Sequence, residues 1–186
     1  MVNQLKAVRN MSELPVKYRV VGADLSLRRP SYCVLSVNKE SGQTKVKIRK
    51  IITVDNKQDK SKPHGQLLEE IMMAFSKLLL YDETMTIYVR ENEIIKTRTP
   101  AERNLSKVVG LMDWSLWKFS GCEWFSVYPM TVKKLVTGSG RADKEQVAAA
   151  LEKYVGKQEY KCDDESDATA VAIAWLIQQG ELKTIE

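Results

Sequence analysis

The sequence predicts an α/β protein built on a mixed five-stranded sheet that is flanked by helices. Three β-rich runs joined by short turns open the chain, which indicates an antiparallel meander. After residue 63, stretches with apolar residues at helical spacing alternate with further strand-like runs. A meander followed by alternating strands and helices is typical of a mixed sheet whose later strands are parallel.

The five strands are predicted from short apolar, β-branched runs that end at turn signals. In the third run, Val46 and Ile48 alternate with basic residues, which predicts one face open to water. The fifth run stops at a proline, which cannot donate to a strand ladder. The predicted strands are Val20–Asp24, Tyr32–Val37, Lys45–Val54, Thr86–Glu91 and Trp124–Pro129.

Four helices are predicted from apolar residues that recur three and four positions apart. The second opens at Thr99-Pro100-Ala101-Glu102, where a proline in the first position and an early glutamate favour a helix start. The last ends before Gly180, a common residue beyond a final turn. With the strands they give the order β-β-β-α-β-α-β-α-α. The predicted helices run from Pro63 to Leu79, from Pro100 to Lys118, from Asp143 to Val155 and from Asp164 to Gln179.

The length of 186 residues suits one domain with a full hydrophobic core. We expect residues 18–180 to form this domain, after a leader of residues 1–17 and before a short tail of residues 181–186. No apolar run reaches the roughly 18 residues that cross a bilayer, and the polar N-terminus lacks the apolar stretch of a secretory signal. We therefore expect no membrane contact and a cytoplasmic location. Three widely separated cysteines argue against a disulfide framework and against a cysteine zinc site.

The histidine content limits the chemistry that this chain can perform. His64 is the single histidine of the sequence, and it lies in a loop before a helix, where a surface role is expected. Ser-His-Asp and Cys-His catalysis both need an imidazole base. Strong chemistry in this chain therefore depends on carboxylates, lysines and a metal.

Positive charge is concentrated in three stretches of a chain whose net charge is +5. These are residues 45–62, 90–103 and 133–144, and such clusters fit a polyanionic partner. In the third stretch, a Gly-x-Gly turn would let backbone amides approach phosphate; a flexible loop before an ordinary helix is the alternative. No P-loop pattern follows the turn, which argues against an NTPase. The candidate phosphate-binding residues are Lys133, Lys134, Arg141 and Lys144.

Four acids stand where an α/β sheet gathers its ligands, near the carboxyl ends of strands. Asp24 ends the first predicted strand and Glu91 ends the fourth. Asp164 and Asp167 open a very apolar helix, and their spacing of three places them on one helix face. A hard divalent cation such as Mg²⁺ would cancel the repulsion among these carboxylates. Two such ions would support phosphodiester hydrolysis without histidine or cysteine.

Each acid also has a simpler interpretation. Asp24 could be a turn residue, and Glu93 competes with Glu91 for the inward position. The acids at the start of the last helix could stabilise its N-terminus, with Asp163 or Asp164 as the N-cap. The coincidence of acids at two strand ends and one helix start favours the metal site.

Four motifs resemble those of the RuvC-type Holliday-junction resolvases, a family of the ribonuclease H-like superfamily. Val21–Ser26 is similar to the Gly-x-Asp-Pro-Gly motif with the first metal acid, and Val89–Asn92 to the segment with the catalytic Glu. Val132–Val147 is similar to the block with a lysine, a Gly-x-Gly and a Lys-x-Gln-Val sequence. Asp164–Ala172 resembles the closing Asp-x-x-Asp-Ala motif. The motifs occur in the family's order, and the resemblance covers about residues 19–176.

The resemblance implies a ribonuclease H-like fold and a structure-selective DNA endonuclease that cuts four-way and other branched DNA junctions. It implies that the four acids bind two Mg²⁺ ions, for which Mn²⁺ can substitute, and that Lys133 and Lys144 lie close to the DNA backbone. The family acts as a homodimer, and twofold symmetry of the enzyme would match that of the substrate. We predict the interface on the helix from Pro100 to Lys118.

Departures from the family pattern indicate a divergent, phage-like branch. Leu25-Ser26 replaces the usual Pro-Gly, and Ile94 stands where some members carry an aromatic residue that enters the junction. Two alternatives stay open: a nuclease of the same fold that acts on RNA–DNA hybrids, and a junction-binding protein without catalytic activity. Core or dimer contacts are expected, in preference to base stacking, for Trp114, Trp117, Phe119 and Trp124.

Overall fold

The computed structural model describes residues 14–57, 59–79, 84–92 and 99–184. Its five strands form one mixed sheet in the order β3-β2-β1-β4-β5. The first three strands are antiparallel neighbours, while the fourth and fifth run parallel to the first, so the predicted mixed sheet is confirmed. The strands are β1 (Lys17–Asp24), β2 (Ser31–Glu40), β3 (Gln43–Thr53), β4 (Thr86–Glu91) and β5 (Phe125–Val127).

The described residues form five helices, one more than predicted. The additional helix spans Pro129–Thr137, which begins at the last residue of the predicted fifth strand and for the rest lies where no element was predicted. Pro129 stands in its first turn, where its missing N–H is harmless, and Gly138 ends it in the left-handed conformation. Val132 and Val136, one turn apart, are its buried residues. The helices are α1 (His64–Leu79), α2 (Pro100–Ser120), α3 (Pro129–Thr137), α4 (Lys144–Val155) and α5 (Asp163–Gln178).

The sheet separates two hydrophobic cores. On one face, α1 and α2 pack over apolar residues of β1, β2 and β4. On the other face, α3, α4 and α5 form the larger core, and α5 lies directly on the central strands. Helix α5 is buried on nearly all sides from Glu165 to Ile177, as expected of a helix that is apolar all round.

Gly22 in β1 makes the close approach of α5 possible. A Cβ at this position would overlap the carbonyl oxygen of Ala168 and would lie 2.9 Å from the Cβ of Ala172. The helix backbone therefore occupies the space that any other side chain would need. This contact places the first turn of α5 beside the carboxyl end of β1, where Asp24 lies.

The predicted aromatic contacts divide into two groups. Trp124 stacks on Phe75, with ring centroids 5.5 Å apart, and its indole N–H donates to the Met112 carbonyl, as a core residue would. The three aromatic residues near the end of α2 are each more than half exposed and so are not core residues, which leaves a dimer contact as the prediction for them: Trp114, Trp117 and Phe119.

Among the described residues, none of the helices combines the length and the apolar character that a bilayer crossing requires. The predictions for Glu93, for Ile94 and for most of the leader lie outside the described residues.

We expect Gly22→Ala to destabilise the fold by about 1–3 kcal/mol, the usual cost of overpacking a tight core. Urea unfolding measures the change. Gly110→Ala is the matched control, because a Cβ at this exposed position of α2 meets nothing within 4 Å and alanine favours a helix over glycine. A Gly22→Ala protein as stable as the wild type would show that α5 does not depend on this contact.

Candidate metal centre

Three of the four predicted acids converge at one edge of the sheet. Asp24 ends β1, and Asp164 and Asp167 come from the first turns of α5. One carboxylate oxygen from each lies within 4.8 Å of the others, and all three residues are half-buried. Carboxylate oxygens are the ligands that Mg²⁺ prefers, so this donor set fits a hard divalent cation.

Glu91 lies beside this cluster. Strand β4 runs parallel to β1 with Ala23 opposite Arg90, so Glu91 ends its strand next to Asp24. Burial, together with the negative charge of Asp167, raises the pKa of Glu91 to about 7, although Lys133 and Lys144 act against this rise. The electrostatic effect of Asp167 on Glu91 shows that the fourth acid shares the environment of the other three.

Asp167 is itself in an environment that disfavours its charge. Its pKa is raised, first by burial and then by the charges of Asp164 and Asp163, although Lys144 opposes the rise. Folding thus holds carboxylates together at an energetic cost, which a bound cation would remove because it stabilises their ionised form.

Two cations that we did not predict lie against Asp164. The Arg29 guanidinium donates from Nε to a carboxylate oxygen of Asp164, and Lys57 Nζ is 3.6 Å from the same oxygen. Arg29 follows Asp24 by five residues, and Lys57 belongs to the basic stretch of residues 45–62. No local pattern in the sequence singles out these two cations, because their contacts join parts of the chain that are distant in sequence.

Lys144 and Lys133 are the two predicted phosphate-binding residues that lie at the centre. Lys144 Nζ is 3.3 Å from Asp167 and 3.5 Å from Asp163. Burial lowers its pKa, but these carboxylates outweigh that effect and the net shift is upward, so Lys144 stays charged. Lys133 donates to the Ala142 carbonyl at 2.8 Å, which ties α3 to the turn before α4.

Lys134 and Arg141, the other two predicted residues, are exposed on α3 and on the following turn. They lie outside the acid cluster. The basic stretch therefore divides into two lysines among the acids and two cations that face solvent.

Glu165 is an acid that sequence analysis did not separate from its neighbours. It is 6% exposed, accepts a hydrogen bond from Thr53 Oγ1 at 3.1 Å and another from the Lys161 N–H at 2.8 Å. Thr53 is in turn hydrogen-bonded to the buried Ser31 at 2.9 Å. This chain of contacts anchors the start of α5 to β3 and β2. The alternative that Asp163 or Asp164 is the N-cap is wrong, because Cys162 occupies that position.

Comparison with known proteins identifies relatives. The family model described as "Crossover junction endodeoxyribonuclease RuvC" matches residues 20–175. The RuvC of Cytophaga hutchinsonii is 47% identical over 60 residues, which are 32% of this chain and 30% of that protein. The RuvC of a Sulfurovum species is 51% identical over 49 residues, or 26% of this chain and 31% of that protein. The aligned segments thus span about a third of these relatives.

Solved structures share the fold. Thermus thermophilus RuvC superimposes with a TM-score of 0.72 at 19% identity, over 90% of this chain and 99% of that chain. The same protein in complex with a Holliday junction substrate gives 0.74 at 19% identity over the same shares. A fowlpox virus Holliday junction resolvase gives 0.52 at 12% identity, over 86% of this chain and 98% of that chain. The predicted ribonuclease H-like fold is confirmed.

We expect the metal-free protein to lose stability relative to Glu91→Gln as the pH rises from about 4.5 to about 7. Between these values the unfolded chain releases a proton that folded Glu91 retains, because its pKa rises from 4.5 to about 7 on folding. Stability therefore falls through this window and levels off above it, by at most about 3 kcal/mol.

Urea unfolding in EDTA at several pH values measures this effect. The exposed Glu159→Gln is the control, and it should follow the wild-type pH dependence. Parallel curves for the wild type and Glu91→Gln would show that Glu91 titrates alike in the folded and unfolded chain.

Proposed function

This chain belongs to the RuvC family of crossover junction endodeoxyribonucleases, and we propose that it is a metal-dependent DNA endonuclease that resolves four-way junctions. One observation carries the proposal. Three carboxylates from β1 and α5 meet within 4.8 Å, at the positions of the motif acids, with Glu91 beside them. The ligands of this cluster are carboxylates alone, and the single histidine of the chain, His64, lies at the start of α1.

The four acids are the proposed ligands of two Mg²⁺ ions, with Mn²⁺ as a substitute that accepts the same oxygen donors. When bound, these ions supply charge neutralisation and Lewis-acid activation for phosphodiester hydrolysis. The proposed products carry a 5′-phosphate and a 3′-hydroxyl. In this assignment Asp24, Asp164 and Asp167 form the centre of the site, and Glu91 closes it from β4.

The cations around the acids are placed to hold the DNA phosphate. Lys144 and Lys133 approach from α4 and α3, and Arg29 and Lys57 approach on the side of Asp164. Lys144, Arg29 and Lys57 can each exchange a carboxylate for a phosphate oxygen when the substrate enters, since both are anionic acceptors. Arg29 presents a planar fork suited to two phosphate oxygens.

Comparison with the relatives supports a four-way junction as the substrate of this chain. The solved structures that share this fold include T. thermophilus RuvC with a Holliday junction substrate and the fowlpox virus resolvase with substrate Holliday junction DNA. The exposed Lys134 and Arg141 extend the positive surface beyond the acids, where DNA leaving the centre would run.

We further propose that the protein acts as a homodimer through the end of α2. Trp114, Trp117 and Phe119 are 52%, 55% and 54% exposed, and the rings of Trp114 and Phe119 meet edge to face. Exposed aromatic residues that lie together mark an interaction surface, and aromatic residues are enriched in interfaces. These residues lie in or next to the interface predicted from Pro100 to Lys118. A twofold dimer would present two metal centres to a substrate of matching symmetry.

We expect the wild type to nick a labelled four-way junction in Mg²⁺ or Mn²⁺. It should not nick the junction in EDTA, and it should not nick a linear duplex of the same sequence. Asp24→Asn, Glu91→Gln, Asp164→Asn and Asp167→Asn should each reduce nicking at least a hundredfold while junction binding stays within a few-fold. The reason is that each removes a charge that metal binding requires. The exposed Glu159→Gln is the control and should cut normally.

Three outcomes would contradict this assignment. Nicking that persists in two of the four variants would show that the metal ligands lie elsewhere. Tight junction binding by a wild type that cuts nothing would favour the non-catalytic alternative. Cutting of an RNA–DNA hybrid, included in the same assay, without cutting of the junction would favour the hybrid-specific alternative.

We expect Trp117→Glu to convert the dimer to a monomer, because a buried charge without a partner is strongly unfavourable in an interface. Sedimentation equilibrium measures the mass directly. Met73→Glu is the matched control, since Met73 is also 55% exposed but lies on α1. A dimer that withstands Trp117→Glu would exclude this surface as the interface.

A further inference from the structure

One face of the sheet carries a regular array of cations far from the acids. Two rows cross three strands: Lys17 of β1 and Lys45 of β3 are both paired with Asn38 of β2, and Arg19 and Lys47 are both paired with Ser36. Side chains in such a row point to the same side of the sheet. We call the surface formed by these rows and the adjoining Arg49 and Lys50 the basic sheet face.

Strand geometry sets the dimensions of the array. Rows two residues apart along a strand are separated by about 6.7 Å, and cations on β1 and β3 are about 9.5 Å apart across β2. Ser36 and Asn38 between them add a hydroxyl and an amide. The result is four cations around a polar centre, on a scale that suits several phosphates of one DNA backbone.

Arg49 and Lys50 extend the array towards α1. The register between β2 and β3 shifts between Val34 and Leu35, so the two adjacent cations line one cavity together instead of facing opposite sides. Arg19 also lines this cavity, whose volume is about 140 Å³. Three of the six cations therefore converge at this end of the surface.

Protection of a sheet edge accounts for only part of the array. Charged residues on an edge strand such as β3 protect it from pairing with other sheets. Lys17 and Arg19, however, lie on the central strand β1, where that explanation does not apply. Glu40 is an acid at the rim of the rows, where it accepts from Asn38 and lies 3.4 Å from Lys45. The basic sheet face brings six cations together on one side of the sheet, which favours a polyanionic ligand.

We propose that the basic sheet face binds the phosphate backbone of duplex DNA as a second contact surface, separate from the metal centre. This inference rests on the proposed function, because the DNA would be an arm of the bound junction. Arg19 lies five residues before Asp24 on β1, about 17 Å along the strand. The two side chains point to opposite faces, since successive side chains of a strand alternate and these residues are five positions apart, an odd number. One helical turn of duplex is about 34 Å long, so a straight arm that leaves the junction past the edge of the sheet is long enough to lie on the basic sheet face.

The test compares the double variant Lys47→Gln/Arg49→Gln with a control, Lys153→Gln/Lys157→Gln. All four residues are exposed, and the two control lysines lie in the last turn of α4 and just beyond it. Binding of a labelled four-way junction and of a linear duplex is measured in EDTA over a range of salt concentrations. For the first variant we expect the slope of log K against log salt to become shallower by about 2, since each lost phosphate contact removes about 0.9. Both DNAs should be affected alike, because the contacts are to the backbone.

Nicking by the first variant at saturating protein should equal that of the wild type, since the acids and their cations are untouched. The control variant should keep the wild-type slope. An unchanged slope for Lys47→Gln/Arg49→Gln, in a wild type that does cut junctions, would overturn this inference and leave the proposed function standing. A wild type that neither binds nor cuts junctions would overturn both.

Discussion

The contact between α5 and β1 at Gly22 is the constraint on which the site depends. A helix that is apolar on all sides can be buried across the central strand, and a residue without a side chain lets its backbone come within contact distance. Because the acids of α5 stand in its first turns, the depth at which the helix packs decides where their carboxylates lie. Glu165, hydrogen-bonded to Thr53, fixes the same end of the helix to the neighbouring strands. Ordinary core packing thus positions the candidate metal ligands.

The cluster that this packing produces is electrostatically unfavourable, because its carboxylates repel one another. The pKa values of Glu91 and Asp167 are both raised, with burial as the largest cause and like charges as a further one. Lys144 and Arg29 compensate in part through direct ion pairs. The nearby cations offset the repulsion among the acids only in part, so a bound metal ion would stabilise the cluster further. If a metal were bound by the carboxylates, the same cations would be available to a phosphate.

The two faces of the sheet have different surroundings. The face that carries Asp24 is covered by α3, α4 and α5, and these helices supply Asp164, Asp167 and two lysines. The other face is covered by α1 and α2 over its apolar part, while its outer rows carry the basic sheet face. One sheet therefore sets the geometry of both surfaces that we propose for DNA. Exposed aromatic residues at the end of α2 form a third surface, the one that we propose for a second copy of the chain.

Local patterns in the sequence determined much of this protein. Strand alternation, helical spacing and the positions of four acids at element ends predicted the mixed sheet and the residues of the candidate centre, because these properties depend on neighbours in the chain. The short helix Pro129–Thr137 was missed although its proline and glycine signals were present, since the proline was interpreted as the end of a strand and the glycine as part of a phosphate-binding turn.

Only the tertiary structure decided which residues meet across long separations. The ion pairs of Arg29 and Lys57 with Asp164, the anchoring of Glu165 and the array formed by Lys17, Arg19, Lys45 and Lys47 all join different elements. Their existence depends on strand register and on the depth of helix packing. These quantities are set by the packing of the whole core, which no local stretch of sequence contains.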